Sequence, residues 1–385
     1  MRIAQLTYSV KPRGGVVHAI AVSEALAARG HAVELMAVGP PGARFFRAPA
    51  VPAHVVAHEP PDAPFDARIA ACIEDYRDGL RPLLAGGRFD VVHAQDCISA
   101  NAALALRDEG VVDAVVRTVH HVDDFRSPSL VACQRRSIAE PDLVLCVSPP
   151  WVGRLQAEFG VAAALVGNGV DAARFRPPSA AERERARAAL GLGDRMTVLT
   201  IGGIEPRKGS LTLLEAFALV RGALAERDPV LLVAGGATLF DYRDEVARFD
   251  ERRAALGLDD DVRVLGPFDD EWLPALYRAA DVFALPSTKE GFGLVVLEAL
   301  ACGVPAVVSA LDVFASFLQD GRDALMAPVG DAAALARAIA RAASDGALRA
   351  RLRASGRAVA ARHGWDGAAA AHERAYAALL AAEAA

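Results

Sequence analysis

The most constraining feature of this chain is an alternation, repeated twice, of short fully apolar runs with longer segments of helical periodicity. Runs such as Val-Leu-Leu-Val-Ala carry no polar alternation. They fit strands buried on both faces, as in parallel sheets wrapped by helices. The first series predicts strands at 2–8, 32–38, 91–94, 114–118, 143–147 and 164–166, with helices at 17–29 and 99–109. The second predicts strands at 197–201, 230–234, 262–265, 282–284, 306–308 and 324–326, with helices at 210–225, 269–280 and 294–301. Two βα series of similar size imply an α/β protein of two Rossmann-like domains facing each other across a cleft. The expected domains are residues 1–171 and 196–360, joined by a linker at 172–195 where Phe175-Arg176-Pro177-Pro178-Ser179 interrupts the pattern. An alanine-rich helical tail closes the chain. At 385 residues each half is long enough to bury its own core.

Charge narrows the partners. The net charge of −6 gives no global basic field for nucleic acid or an anionic membrane, so any polyanion must meet a local basic pocket. Only three of the 42 basic residues are lysine, namely Lys11, Lys208 and Lys289, and all three fall in predicted strand-to-helix loops. The five cysteines are odd in number, scattered and without a Cys-x-x-Cys, which supports neither a disulfide framework nor a zinc site. With no signal-type apolar block at the start, a cytoplasmic location is expected. The most apolar run, 291–311, contains Glu298 and Pro305 and reads as a buried βα segment. No His-x-Glu or close aspartate pair suggests a metal, and no bound cofactor is expected.

In sheets of this kind ligands sit at the carboxyl ends of strands, and there the unusual residues collect. Lys11-Pro12-Arg13-Gly14-Gly15 precedes a helix expected to start near Val16. Paired glycines let backbone approach a ligand and a helix start offers N–H groups to an anion, although a plain glycine turn reads the residues equally well. It is not Gly-x-Gly-x-x-Gly, which argues against a nicotinamide cofactor. Gly202-Gly203-Ile204-Glu205-Pro206-Arg207-Lys208-Gly209 places two cations beside a helix start, where they oppose the helix dipole unless an anion such as a diphosphate lies between. Pro286-Ser287-Thr288-Lys289-Glu290-Gly291-Phe292-Gly293-Leu294 leads into a helix holding Glu298. A carboxylate in an otherwise apolar helix needs a partner, either sugar hydroxyls or an arginine. Arg117-Thr118-Val119-His120-His121 follows another strand; either histidine could bind a sugar hydroxyl or be structural. His93-Ala94-Gln95-Asp96 is expected to line the same cleft. Arg44-Phe45-Phe46-Arg47 reads as a weak peripheral membrane anchor or as a loop packing its own aromatics. Asp259-Asp260-Asp261 reads as a solvated turn.

Together these motifs resemble the retaining GT-B glycosyltransferases of the family 4 (group 1) type over almost the full length. The specific part runs from Ala279-Ala280-Asp281-Val282 through Glu290-Gly291-Phe292-Gly293 to Glu298-Ala299-Leu300-Ala301-Cys302-Gly303-Val304-Pro305, with the two glutamates eight residues apart. Asn168-Gly169-Val170-Asp171, the Glu205–Gly209 turn and Gly14-Gly15 support it. The resemblance implies a metal-independent enzyme moving a hexose-type sugar from a nucleotide-diphosphate sugar to an acceptor hydroxyl with retention. It implies that the first domain binds a small-molecule, glycan or lipid-linked acceptor and the second the donor. Arg207 and Lys208 would hold the diphosphate, with Gly14 and Gly15 approaching it. Glu298 would take the ribose, and Glu290 the sugar, helped by the backbone at Gly203, Phe292, Gly293 and Leu294. His120 would contact the sugar. Residues 361–385 would return to the first domain. Two departures stand out: Gly203 occupies a position usually held by arginine, and Leu311-Asp312-Val313-Phe314 replaces a Gly-Gly-x-x-Glu type loop. An epimerase, a hydrolase or a non-catalytic nucleotide-sugar-binding protein is the alternative reading.

Overall fold

A computed structural model of the chain describes residues 1–86, 88–236 and 242–383. By internal packing the chain divides into two units: Met1–Asn168 together with the segment from Trp365, and Gly169–Gly364.

The first unit is built on seven parallel strands: β1 (Arg2–Thr7), β2 (Ala32–Gly39), β3 (Ala53–Ala57), β4 (Val91–Ala94), β5 (Val115–Val119), β6 (Leu143–Cys146) and β7 (Ala163–Leu165). Their order is β3-β2-β1-β4-β5-β6-β7. The central strands are buried on both faces, as their unbroken apolar runs require. The helix Trp365–Glu383 belongs to this unit, where Ala369 and Tyr376 join Ile3, Val16, Ile20 and Leu26 in one core.

The second unit has six parallel strands: β8 (Thr197–Ile201), β9 (Val230–Ala234), β10 (Val262–Gly266), β11 (Val282–Leu285), β12 (Ala306–Ser309) and β13 (Leu325–Ala327). Their order is β10-β9-β8-β11-β12-β13. Leu335 and Ile339 of the helix Ala332–Ser344 pack with Leu213 and Phe217 of the helix Ser210–Ala223 over this sheet.

Both sheets reverse their winding at one point, between β1 and β4 in the first unit and between β8 and β11 in the second. Adjacent loops there leave in opposite directions and open a crevice at the carboxyl ends of the strands. Four of the loops singled out by sequence lie at these two reversals.

Several expectations are corrected. The stretch 172–195 lies inside the second unit. It forms the helix Ala180–Ala189, whose Arg183 pairs with Asp281 at 2.7 Å and so ties it to the start of β11. The predicted helix at 269–280 is a short 3-10 turn, Asp270–Trp272, followed by the helix Leu273–Ala279, because Pro274 sits where a helix accepts proline only in its first turn. The helix after β1 begins at Gly14, two residues before its expected start. The edge strand β3 and the helices Phe65–Leu84, Pro128–Ala139, Pro149–Phe159 and Arg243–Ala255 were not expected. Phe45 and Phe46 pack partly buried on the first core, and Arg47 forms a two-pronged pair with Glu24 at 2.7 Å, so this loop packs its own aromatics inward. Asp261 is no solvated turn residue, since it pairs with Arg195 at 2.6 Å and Arg221 at 3.1 Å. The five cysteines are free, although the Cys97 and Cys133 sulfur atoms lie only 3.0 Å apart. Among the described residues no helix is long and apolar enough to cross a membrane.

Candidate active site

In the second unit the loop after β8 turns through Pro206–Lys208, and Gly209 ends that turn in the left-handed region (φ 67°) before the helix Ser210–Ala223 begins. Arg207 and Lys208 therefore stand just outside the helix start. The loop after β11 lies directly against them: a Cβ on Gly209 would fall 2.1 Å from the Pro286 carbonyl oxygen. This contact brings Lys208 Nζ to 2.8 Å from Glu290 Oε1, and Arg207 to 3.4 Å from Glu290 Oε2. Ser287 Oγ donates to Glu290 Oε1 at 2.8 Å. Burial alone would raise the Glu290 carboxyl, but Lys208 and Arg207 outweigh it and hold it at about 2. Glu290 is thus an anion at any working pH, and the two cations are preorganised around it.

Glu298 is different. It lies on the helix Leu294–Ala301, is 8% exposed, and has the Tyr277 hydroxyl 2.7 Å from Oε2. The salt bridge to an arginine that its sequence position allowed is not what holds it. Burial pushes its carboxyl up to about 7, only partly offset by the Tyr277 hydrogen bond and the charge of Arg174.

Gly203 takes φ 78°, and a Cβ there would sit 2.8 Å from the Gly236 carbonyl oxygen. A larger residue at 203, arginine included, would force apart the loops after β8 and β9. The other sequence departure has a similar cause. Phe314 fills the space over Gly293, where a Cβ would be 2.6 Å from its ring. Phe292 stacks on Phe317 with ring centres 4.9 Å apart, which fixes the backbone entering the helix at Leu294.

In the first unit Gly14 and Gly15 form the opening turn of the helix Gly14–Ala28. Gly15 faces His120: a Cβ on it would lie 3.4 Å from His120 Cδ2. His120 Nε2 is 3.0 Å from Gln95 Oε1, and burial, with His18 and Arg117 nearby, keeps its ring neutral, well below the usual histidine range. His121 instead pairs with Asp123 at 3.2 Å. His93, expected to line a ligand crevice, is fully buried between Tyr376 and Thr118. Asp96 caps the helix Cys97–Asp108 and accepts from the Tyr8 backbone N–H at 2.8 Å. Both are therefore structural.

Sequence reasoning missed Tyr277, Gln5 and Tyr376. One signal was present: Gln5 interrupts the apolar strand Ile3-Ala4-Gln5-Leu6, and a polar side chain there must find a buried partner. Among the described residues no group of three or more His, Cys, Asp or Glu side chains could hold a metal ion.

Two parallel-stranded Rossmann-like units, the second carrying paired cations and carboxylates at its winding reversal, define a GT-B type α/β enzyme. Comparison with known proteins agrees. The profile for glycosyl transferases group 1 matches residues 182–359, and that for glycosyltransferase family 4 matches 12–174. The D-inositol 3-phosphate glycosyltransferase of Salinispora arenicola is 33% identical over 306 residues, which cover 73% of this chain and 67% of that protein. Sucrose-phosphate synthase from Thermosynechococcus elongatus shares the fold with a TM-score of 0.83 at 25% identity, over 99% of both chains. Anabaena HepE in complex with UDP-glucose superposes with a TM-score of 0.79 at 20% identity, over 98% of this chain and 99% of that one. This chain belongs to the group 1, family 4 glycosyltransferases, and it is a glycosyltransferase.

Proposed function

We propose that the chain transfers a hexose-type sugar from a nucleotide-diphosphate sugar to an acceptor hydroxyl, with retention of configuration and without a metal. The observation that carries this reading is the ion cluster at the β8–β11 reversal, where Lys208 and Arg207 surround a permanently ionised Glu290. As the anomeric bond breaks, negative charge grows on the diphosphate and positive charge on the sugar. Lys208 and Arg207 supply the counter-charge for the first without a divalent ion. Glu290 supplies it for the second while accepting hydrogen bonds from sugar hydroxyls. Charges already in place cost no reorganisation at the moment of reaction, which is how such a site lowers the barrier. Glu298 takes the ribose hydroxyls, and the backbone at Gly203, Phe292, Gly293 and Leu294 lines the donor. In the first unit Gly14 and Gly15 approach the phosphates and His120 meets the sugar. No protein nucleophile is required: a phosphate oxygen of the leaving group takes the proton as the acceptor attacks on the same face.

For the acceptor, the relative named as an inositol phosphate glycosyltransferase favours a phosphorylated cyclic polyol, and the protein is expected to act in the cytoplasm. The test is a thermal-shift screen of the parent, Lys208→Ala and Glu298→Ala against UDP, GDP, ADP and their sugars. It is followed by transfer from the preferred donor to inositol phosphates, with the product's anomeric configuration read by NMR. The parent is stabilised by one nucleotide series and both variants lose most of that response. Equal responses from all three proteins, or an inverted product, would sink the assignment.

A further inference from the structure

Two cysteines that the reaction above leaves unused meet in the first unit. Cys97 opens the helix Cys97–Asp108 after β4, and Cys133 lies on the helix Pro128–Ala139 after β5. They are 36 residues apart in sequence, yet their sulfur atoms are 3.0 Å apart. The backbone is held to this approach. Asn101, one turn along from Cys97, donates through Nδ2 to the Cys97 carbonyl at 2.8 Å and to the Cys133 carbonyl at 3.0 Å. This amide ties the two helices together at the level of the sulfurs. Both thiols are only half-buried, within reach of a small reagent.

The pair also differs from the other thiols in reactivity. Burial pushes Cys72 and Cys302 up to about 12 and Cys146 up to about 11, so these three stay protonated. Cys133 is the one thiol of the five that moves the other way. Its contact with Cys97 lowers it, aided by the charge of Arg136 and opposed by burial. The thiolate is the attacking form in disulfide exchange. Cys133 is therefore the nucleophile of the pair, and Cys97 the thiol placed to resolve what forms on it.

The surroundings give a bond here a consequence. Gln95, two residues before Cys97, has Oε1 3.0 Å from His120 Nε2. Gln134, next to Cys133, clamps the loop that follows His120. Its Oε1 accepts from the Asp123 N–H at 2.8 Å, and its Nε2 donates to the Asp123 carbonyl at 3.0 Å. A disulfide holds its sulfurs at about 2.05 Å, so closing the pair draws these two anchors of the His120 loop together by about 1 Å.

We propose that Cys97 and Cys133 form a redox-sensitive dithiol, which a low-molecular-weight disulfide such as oxidised glutathione converts reversibly into an intramolecular disulfide that slows transfer. The Cys133 thiolate attacks one glutathione sulfur, forms a mixed disulfide and releases the first glutathione as a thiolate, which takes up a proton. Cys97 Sγ then attacks the Cys133 sulfur, gives up its proton and releases the second glutathione as a thiol. Two cysteine thiols are oxidised and one glutathione disulfide is reduced to two thiols. The slowing of transfer rests on the function proposed above; the bond does not.

The folded protein is treated with oxidised glutathione, its remaining thiols are blocked with iodoacetamide, and peptides are mapped by mass spectrometry. The parent yields a peptide linking Cys97 to Cys133, which dithiothreitol removes. In Cys97→Ser the reaction stops at a glutathione adduct on Cys133, and Cys133→Ser gives no link. Oxidation lowers kcat/KM of the parent about tenfold, because a shift of about 1 Å at a positioning loop costs on that order. Dithiothreitol restores the rate, and Cys133→Ser treated alike keeps it. A parent without the linked peptide, or one that links Cys72, Cys146 or Cys302 instead, overturns the bond. A linked parent with an unchanged rate overturns its control of transfer. A reduced parent that turns over no nucleotide-sugar sinks the reaction assignment, while the peptide map still decides the bond.

Discussion

The glycines at the two winding reversals look alike in sequence and do opposite things. In the second unit Gly209 is left-handed and pressed against the Pro286 backbone, and Gly203 against Gly236, so that no side chain fits either position. In the first unit nothing lies within 4 Å of a Cβ on Gly14, and Gly15 would only touch His120 at 3.4 Å. Both sit in the first turn of a long helix, where alanine would be the better residue. The second unit therefore uses glycine to weld two loops together and so bring Lys208 to Glu290. The first unit uses it to keep space open over a helix start. One is a requirement of folding; the other is not.

The largest effect should come from breaking the weld. In Gly209→Ala the new methyl meets a backbone carbonyl that cannot swing away, in a conformation L-residues avoid. A loss of about 4 kcal/mol or failure to fold is expected, measured by denaturant unfolding. A parental midpoint would show that the loops after β8 and β11 are not in contact. Lys208→Gln comes next. It keeps most of the side chain and removes the charge, and kcat/KM falls about 10²–10³-fold, with the unfolding midpoint as the control for the lost pairing to Glu290. A drop of less than about fivefold would mean that the cluster does not face the leaving group.

Stability against pH gives a third comparison, because Glu298 of the second unit and the buried histidines of the first titrate with opposite signs. Glu298, raised to about 7, binds its proton more tightly folded than unfolded, so it withdraws stability as pH rises from 4.5 to about 7. The effect reaches about 3 kcal/mol across that window, and Glu298→Gln abolishes it. Glu290, held at about 2, stabilises above pH 4.5 and loses this as pH falls toward 2. In the first unit burial holds His18 near 4 and His372 near 3. Folded pKa values below the ordinary histidine value mean that their contribution is lost as pH falls below about 6.5. Between pH 4.5 and 6.5 these two histidines thus add stability to the first unit as pH rises, while Glu298 removes it from the second. Identical pH profiles for the parent and Glu298→Gln would refute the raised carboxyl.

How much of this was legible follows the range of the interaction. The central strands and the loops after β8 and β11 were visible, because unbroken apolar runs and polar clusters between a strand and a helix are local patterns. The edge strand β3 was missed because Ala-His-Val-Val-Ala is short and only half buried. The helix Phe65–Leu84 was missed because it is polar, with Pro82 in its last turn. His93 was misplaced because position at a strand end does not say which way a side chain points. The partners that define each site lie far off in sequence: Tyr277 is 21 residues from Glu298, and Tyr376 is 371 from Gln5. No periodicity encodes such pairs; only the fold assembles them.

The smallest expected effect on stability is the most informative about the first unit. In Gly15→Ala the added methyl meets only the edge of His120, and helix propensity favours alanine by about 1 kcal/mol. The unfolding midpoint should therefore stay the same or rise slightly. If the space over this helix start belongs to the donor's phosphates, the same methyl occupies it, and donor KM rises about tenfold while the folded protein is no worse. Gly14→Ala, one residue further from His120, separates crowding of the imidazole from crowding of the ligand. A loss shared by both variants assigns it to the ligand, and a loss confined to Gly15→Ala assigns it to His120. If both keep parental kinetics, these glycines hold nothing open, and the contrast between the two units reduces to loop geometry alone.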